Sequence, residues 1–176
     1  MQPLDLIDHP EGGRFREVFR STKRVSTTTT KVRVALTHIY FELREGECSL
    51  FHQVAADEVW NLYRGRGLNL YSWDGISRGP SCITLSAEAN TFCHVIPAGH
   101  WQASEPISEA VLVGCSVAPG FEFEDFQLLQ PDSPQGLALV GCDPALARFL
   151  PRGDGTDGRQ PQEPLERTAS SQAEEP

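Results

Sequence analysis

Apolar residues recur along the chain in short stretches with the alternation that is typical of β-strands. The first stretch, residues 32–43 (VRVALTHIYFEL), is rich in β-branched and aromatic residues, which pack well on a pleated sheet. Further stretches of this kind lie at residues 48–52, 58–63, 68–73, 81–86, 91–96 and 110–117. Gly, Pro, Asp and Ser separate them, and many short strands at near-regular spacing predict a sandwich or a barrel. We therefore expect an all-β fold.

Helical periodicity is weak, so we expect only short helical turns near the two ends of the folded region. Residues 4–7 are a candidate for a turn of helix at the start. Asp143 followed by Pro144 has the residue types of a helix N-cap and first position, and predicts a short helix up to residue 150. The pair Asp74-Gly75 is typical of a tight hairpin.

Residues 151–176 differ from the rest of the chain. They contain no aromatic residue and one large apolar residue, Leu165. Such a segment cannot bury enough apolar surface to offset the entropy of ordering it. The expected organisation is one folded domain over residues 1–150 and a disordered acidic C-terminal tail over residues 151–176.

Charge and composition exclude some classes of function. The 176 residues carry a formal net charge of −9, which argues against a nucleic-acid partner because phosphate binding needs a basic face. No apolar run approaches the ~20 residues of a membrane span, and the N-terminus lacks the basic and apolar regions of a secretory signal. The five cysteines are scattered and lack CxxC spacing, which is typical of reduced cysteines in a cytoplasmic protein.

Two neighbouring predicted strands carry residue types that can do chemistry. Residues two apart in a strand point to the same face, so Glu58 and Trp60 share one face, and His52 lies in the strand before. If both strands line one barrel, His52 and Glu58 meet inside it. An imidazole and a carboxylate there can form a hydrogen-bonded pair, an acid–base pair or part of a metal shell. A core histidine bonded to a backbone carbonyl is an equal alternative.

The spacing of Gly46, His52, Glu58 and Gly65 resembles the first motif of the cupin superfamily. Val54 stands where that motif has a second histidine.

Pro97-Ala98-Gly99 resembles the core of the second cupin motif, with Gln102 where a histidine is expected. Valine cannot bind a metal and an amide oxygen binds only weakly, so the implied shell is a poor transition-metal site.

The resemblance extends to one small family of unknown function within the RmlC-like cupin superfamily. It covers residues 4 to about 129 and rests on five segments in the same order: residues 9–17 (HPEGGRFRE), 51–52 (FH), 57–60 (DEVW), 96–101 (IPAGHW) and 117–126 (VAPGFEFEDF). It implies a double-stranded β-helix, the jelly-roll barrel of cupins, paired as a homodimer through its sheets. Within the superfamily, the likeness reaches sugar-nucleotide epimerases and other small-molecule isomerases.

We expect a polar barrel pocket for a small polar molecule such as a sugar derivative or an oxo-acid. The hypothesis is a metal-independent isomerase, epimerase or lyase in which His52 is the general base and Glu58 its partner, with Gln102 bonded to the developing oxyanion. Further substrate-binding candidates are Glu11, Trp60 and Ser104. For Glu11 the alternative is a turn residue that bonds nearby backbone amides.

Two other functions stay open. The first is a non-catalytic cupin that binds a small ligand in the same pocket. The second is a metal-dependent cupin in which His52, Glu58 and Gln102 hold a divalent transition metal.

Removal of residues 151–176 is expected to leave the fold and the dimer intact, because this segment has almost nothing to bury. Thermal unfolding and light-scattering mass of the full chain and of a chain ending at residue 150 check this. Unfolding of the shortened chain, or its dissociation into monomers where the full chain is a dimer, would contradict the expectation.

Overall fold

The computed structural model describes residues 4–27 and 31–152. Thirteen strands and one α-helix follow each other along these residues. The strands are β1 Ile7–Asp8, β2 Arg14–Arg20, β3 Arg24–Ser26, β4 Val32–Val34, β5 Thr37–Leu43, β6 Ser49–Gln53, β7 Asp57–Arg64, β8 Gly67–Trp73, β9 Ser81–Ser86, β10 Cys93–Ile96, β11 Trp101–Pro106, β12 Val111–Ala118 and β13 Gln127–Leu128. Helix α1 spans Pro134–Cys142, and 3₁₀ helices span Phe123–Asp125 and Pro144–Phe149.

The strands form two large antiparallel sheets. One has six strands in the order β1-β2-β5-β12-β7-β10, and the other has five in the order β13-β6-β11-β8-β9. A small third sheet pairs β3 with β4. Because sequence neighbours such as β6 and β7 lie in different large sheets, the chain crosses repeatedly between them. This is the arrangement of a jelly roll, and the all-β expectation is confirmed.

The barrel interior is filled by side chains that alternate with outward-facing ones. In β5, Phe41 and Leu43 are buried, while Tyr40 and Glu42, which alternate with them, are only half-buried. Facing residues Leu68 and Leu70 of β8 complete the same apolar cluster from the other sheet. The two sheets are therefore held together by a shared core.

A second apolar core lies on the outer face of the five-stranded sheet. There Phe51 and Trp73 pack against Leu139 of α1 and Phe149 of the following 3₁₀ helix. The C-terminal helices thus cover one face of the barrel. No helix among the described residues is long and apolar enough to span a membrane.

Local sequence explains where these helices begin. Ser133 Oγ accepts a hydrogen bond from Gly136 N at 3.0 Å, and Pro134 occupies the first helical position of α1. Asp143 Oδ1 accepts from Ala145 N at 2.9 Å and starts the 3₁₀ helix. The short helix after Asp143 was predicted, whereas α1 was missed although Ser133-Pro134 carries the same N-terminal pattern.

Three local predictions were wrong. Residues 4–7 are not helical, because Ile7–Asp8 pairs with β2 as a strand. Residues 32–43 form two strands, β4 and β5, that belong to different sheets. Asp74-Gly75 does not make a tight hairpin, because Asp74 Oδ1 accepts from the backbone N–H groups of Ile76 and Ser77 and opens a longer loop between β8 and β9.

The predicted division at residue 150 lies at the end of this packed region, since Leu150 is part of the second core. The predicted disorder of the tail concerns residues 153–176, which lie outside the described residues.

Phe149→Ala is expected to lower the free energy of unfolding by about 3–5 kcal/mol, because Phe149 is fully buried between α1 and the sheet. Urea unfolding measures the change. Leu137→Ala is the control, since Leu137 lies on the same cap but is 64% exposed, and about 0.5 kcal/mol or less is expected there. Equal effects of the two substitutions would show that the helical cap does not stabilise the barrel.

Candidate functional site

The turn between β1 and β2 directs a carboxylate into the barrel. His9 N donates to Gly13 O and Gly12 N donates to His9 O, each at 3.0 Å. A Cβ on Gly12 would lie 2.6 Å from Cys48 O, and both Gly12 and Gly13 have positive φ. Only glycine fits this close approach without strain. The turn therefore packs tightly against the strands, and Glu11 is only 5% exposed.

Glu11 lies between two histidines. Its Oε2 atom is 3.2 Å from His52 Nε2 and 3.3 Å from His9 Nδ1. The other ring nitrogen of His52, Nδ1, is 2.8 Å from the carbonyl oxygen of Leu50. The cluster thus joins the N-terminal turn to β6 through side chains that are almost completely buried.

The Leu50 carbonyl fixes the tautomer of His52. A carbonyl oxygen only accepts, so Nδ1 carries a proton and Nε2 of the neutral ring has a lone pair. That lone pair faces Glu11 Oε2, and the contact is favourable when a proton lies between the two atoms. Burial lowers the pKa of His52 against the opposing effect of the Glu11 carboxylate. The ring is therefore neutral at neutral pH, with a basic nitrogen inside the barrel.

Glu11 itself stays ionised. Burial acts to raise its pKa, but the neighbouring imidazoles of His52 and His9 outweigh burial and hold the pKa below its ordinary value. The pair is thus a carboxylate facing a weakly basic imidazole.

A second polar group lies across the barrel. Trp60 Nε1 donates to Gln102 Oε1 at 2.9 Å, and Gln102 Nε2 donates to Glu58 Oε2 at 2.5 Å. Because an indole N–H can only donate, it fixes which end of the Gln102 amide faces Glu58. In the backbone register of β11 and β6, Gln102 lies directly opposite His52. It therefore lies between the two acidic groups of the interior.

Glu58 has a strongly shifted pKa. Burial, followed by repulsion from the Glu11 carboxylate, raises the pKa of Glu58 to about 7, against the opposing hydrogen bond from Gln102. Two carboxyl groups in one interior thus have pKa values pushed in opposite directions, a pattern found where one group acts as an acid and another is kept charged.

Aromatic rings of residues 121–126, which we call the aromatic cover, close the barrel over this cluster. Phe126 stacks on His52 with ring centroids 5.5 Å apart, and Phe123 stacks on His9 at 6.1 Å. His52 is 2% exposed as a result.

Ion pairs fasten the aromatic cover to neighbouring strands. Arg33 donates to Asp125 Oδ2 at 2.9 Å and also to Glu124. Arg20 donates to Glu122 Oε1 at 2.8 Å. The carboxylates of the cover are thus paired, and the hydrogen bond from Arg33 lowers the pKa of Asp125.

The family of the chain is shown by its match over residues 1–129 to the family described as "Cupin superfamily (DUF985)". The chain belongs to this cupin family. The resemblance identified from the sequence motifs is thereby confirmed.

Solved structures agree with this assignment. A hypothetical protein from Leishmania major is 25% identical with a TM-score of 0.70, over 83% of this chain and 92% of that chain. A protein from Shewanella oneidensis is 31% identical with a TM-score of 0.70, over 86% and 99%. A cupin 2 conserved barrel domain protein from Rhodopseudomonas palustris, 16% identical with a TM-score of 0.56 over 85% and 86%, shares the fold. A comparison with curated proteins found no significant match.

The cupin interior brings most of the candidate residues together, with different partners from those expected. His52 and Glu58 both face the interior, but among residues 4–27 and 31–152 no hydrogen bond or ion pair joins them directly. Glu11 is the partner of His52, and its side chain contacts histidines, unlike the backbone-bonding turn residue of the alternative interpretation. Trp60 and Gln102 support Glu58.

Ser104 lies apart from this group. It is fully buried, and its hydroxyl is 3.0 Å from that of Ser49. The strand register shifts between Gln102 and Ser104, so alternation in the sequence does not predict where Ser104 points. Its hydrogen bond joins β6 to β11 and has no contact with His52.

Sequence reasoning missed the roles of His9 and Phe126 in this site. Both residues lie in segments that carry the family resemblance, but neither was among the candidate site residues. The signal was present, because His9 opens the His-Pro-Glu-Gly-Gly segment that positions Glu11. Its placement against Glu11 depends on the fold of the turn, which spacing alone does not give.

The donor atoms do not fit the transition metal that cupins often hold. Gln102 Oε1 is occupied by the Trp60 indole, and its amide nitrogen, which faces Glu58, cannot ligate. Val54 is buried in the position of a missing ligand. Within the described part of the chain, no group of three or more His, Cys, Asp or Glu side chains is arranged to hold a metal ion.

The raised pKa of Glu58 predicts a pH-dependent loss of stability. A carboxyl whose folded pKa is about 7 and whose unfolded pKa is near 4.5 stabilises the fold fully below pH 4.5 and loses that stabilisation as the pH rises through 7. The loss amounts to about 3 kcal/mol. Glu58→Gln lacks this carboxyl group and therefore lacks this loss. As the pH rises from acid to neutral, the free energy of unfolding of the wild type should fall relative to that of the variant.

Urea unfolding across this pH range measures that difference. Glu109→Gln, in an exposed loop, is the matched control for removing one glutamate charge. A stability difference between wild type and Glu58→Gln that stays constant with pH would contradict the raised pKa.

Proposed function

We propose that this cupin is a metal-independent acid–base catalyst that moves a proton next to a carbonyl group of a small polar molecule. The reaction class is isomerisation, epimerisation or elimination, and the substrate class is a sugar derivative or an oxo-acid. The observation that carries the proposal is the contact between His52 Nε2 and Glu11 Oε2 at 3.2 Å, in a barrel interior where Glu58 has a pKa of about 7.

His52 is the general base of the proposed reaction. At neutral pH its Nε2 lone pair faces a carboxylate oxygen, and two acceptors at this distance repel each other unless a donor lies between them. A substrate C–H or O–H group that supplies this proton relieves the repulsion. Glu11 then stabilises the imidazolium that forms, as a carboxylate does beside a catalytic histidine.

Glu58 is the general acid. With a pKa of about 7 it is partly protonated at neutral pH, and it can give its proton to the oxygen of the substrate carbonyl as His52 takes the proton from carbon. The product of this step is an enol, and the reverse transfers complete the reaction. Gln102, first expected to bind the oxyanion, donates to Glu58 and is a positioning residue.

Substrate access involves the end of the barrel at which Glu11 and His9 lie. Their side chains are 7% and 6% exposed, and the aromatic cover lies directly over His52. Binding of a substrate therefore requires Phe123 and Phe126 to move aside. Exclusion of water afterwards strengthens the electrostatic effect of Glu11 on His52.

The second candidate is a non-catalytic cupin that holds a small ligand. It is favoured by the closed aromatic cover and by the internal pairing of the polar groups, since the described residues contain no buried side-chain N or O atom without a hydrogen-bond partner.

Solvent-deuterium exchange distinguishes the two functions. Candidate 2-oxo acids and keto sugars, free and nucleotide-linked, are incubated with the protein in D2O, and ¹H NMR follows loss of the signal next to the carbonyl. Exchange of at least one compound is expected, with a rate that His52→Gln or Glu11→Gln lowers by about 10²–10⁴-fold. Leu137→Ala, far from the cluster on α1, is the control.

The pH dependence gives a second readout of the same experiment. As the pH increases, the exchange rate should rise while His52 loses its proton, and it should fall above about pH 7 while Glu58 loses its proton. Glu58→Gln should remove the fall in rate above pH 7. Ligand-induced thermal stabilisation without exchange would favour the non-catalytic function. If no compound shows either exchange or thermal stabilisation, both proposed functions are overturned.

We also propose a homodimer paired through the outer face of the six-stranded sheet, and a cytoplasmic location. The homodimer is supported by the aromatic and apolar side chains that this face exposes, Tyr63 and Val95. On the same face, Tyr63 Oη lies 3.1 Å from His38 Nε2. The mass measured by light scattering tests it. The cytoplasmic location is supported by the five cysteines, all of which are free.

A further inference from the structure

A cavity of about 490 Å³ lies outside the barrel, between the β8–β9 loop, β6, β11 and the start of α1. It is separate from the His52 cluster, because its wall contains Gln53, the neighbour of His52 whose side chain faces the other side of β6. Its volume falls within the ~300–1,000 Å³ of small-molecule sites. Nothing in the proposed acid–base function uses this cavity.

Part of the wall comes from outside the matched family segment. Gln130, Ser133 and Gln135 follow residue 129, where the family match ends, and they line the cavity opposite Gln53 and Trp101 of the barrel. The C-terminal cap that buries the second core therefore also creates this cavity. These cavity residues lie beyond the segment that the family match covers.

The indole of Trp101 has a free donor at this cavity. Trp60 Nε1 donates to Gln102 and Trp73 Nε1 donates to the carbonyl of Ser77, each at 2.9 Å. Among the described residues, Trp101 Nε1 has no such partner. Gly75 packs on this edge of the ring, where a Cβ would lie 3.3 Å from Nε1. The N–H group is therefore held in place beside the cavity and available to a ligand.

Glutamine amides supply the remaining polar groups. The side chains of Gln127 and Gln135 form no hydrogen bond within the described residues, and Gln53 and Gln130 use only their Nε2 atoms, which donate to the carbonyl oxygens of Gly99 and Leu128. The wall thus offers both donors and acceptors. Hydroxyl groups match such a wall because each can donate and accept.

The charge of the wall further restricts the chemical class of the ligand. Among the described residues, Asp74 is the only charged residue that lines the cavity. Hydrogen bonds from the backbone N–H groups of Ser77 and Ile76 lower its pKa to about 2. It is therefore negative at neutral pH, and no Lys, Arg or His of the described residues lines the wall. Phosphorylated and carboxylated compounds are disfavoured at such a site.

We propose that this cavity binds a neutral sugar or a similar polyhydroxylated molecule, through the Trp101 indole N–H and the amides of Gln127 and Gln135. The site is distinct from the barrel interior, and its ligand differs in charge from the oxo-acids considered there.

Indole N–H resonances in a ¹⁵N–¹H correlation spectrum test the proposal on the full chain. The chain has three tryptophans, and loss of one peak in Trp101→Phe assigns that residue. Glucose, galactose, N-acetylglucosamine and mannitol are titrated separately. A saturable shift of the Trp101 peak is expected with at least one of them, and a weaker response with glucose 6-phosphate because of Asp74.

Gln135→Ala should weaken the binding about three- to tenfold, as expected for loss of one hydrogen-bonding side chain. Leu137→Ala, an exposed neighbour on α1 that does not line the cavity, should leave it unchanged. Absence of a saturable shift, equal affinity in Gln135→Ala, or stronger binding of glucose 6-phosphate would overturn the proposal.

A shift of the Trp60 peak alone would also overturn it. That outcome would locate the sugar inside the barrel beside Gln102, and it would support the proposed function of the His52 cluster.

Discussion

The burial of ionisable side chains inside a closed barrel is the constraint on which the rest of this structure depends. Glu11, His52 and Glu58 are each at most 6% exposed, and an unpaired charge in such an interior costs several kcal/mol. Each therefore has a partner: Glu11 faces His52, and Glu58 accepts from Gln102. Burial raises the pKa of Glu58, whereas His52 and His9 hold the pKa of Glu11 below its ordinary value against the effect of burial. This difference is the basis for the proposed acid and base.

The surrounding elements keep this cluster dry and in place. The glycines of the N-terminal turn allow it to pack close enough to deliver Glu11, and the aromatic cover places Phe126 on His52. Ion pairs of Arg33 and Arg20 hold the cover from outside. The Arg20–Glu122 pair is exposed and contributes little stability, whereas Arg33 is buried. In the proposed function, a ligand displaces this cover.

The C-terminal helices pack on the outside of the barrel and do not contribute to the polar cluster. They extend beyond the matched family segment and bury Phe51 and Trp73 on the outer face of the five-stranded sheet. The barrel thus has an interior polar cluster and an exterior apolar core on opposite faces of the same strands. Alternation along β6 produces both, since Phe51 and Gln53 face outward while His52 faces inward.

The sequence by itself predicted most of the central strands, because residue alternation is a local property. The jelly roll and the interior position of His52 and Glu58 were predicted through the resemblance to the cupin motifs. The sequence also predicted the helix after Asp143, whose cap is formed by adjacent residues. It failed at residues 4–7 and at Asp74-Gly75, where pairing with β2 and an Asp74 turn override local preference. Only the tertiary structure decided that Glu11 is the partner of His52, that Gln102 serves Glu58, and that Phe126 covers the site. These contacts join residues far apart in sequence, and their geometry depends on how the turn, the two sheets and the cover pack together.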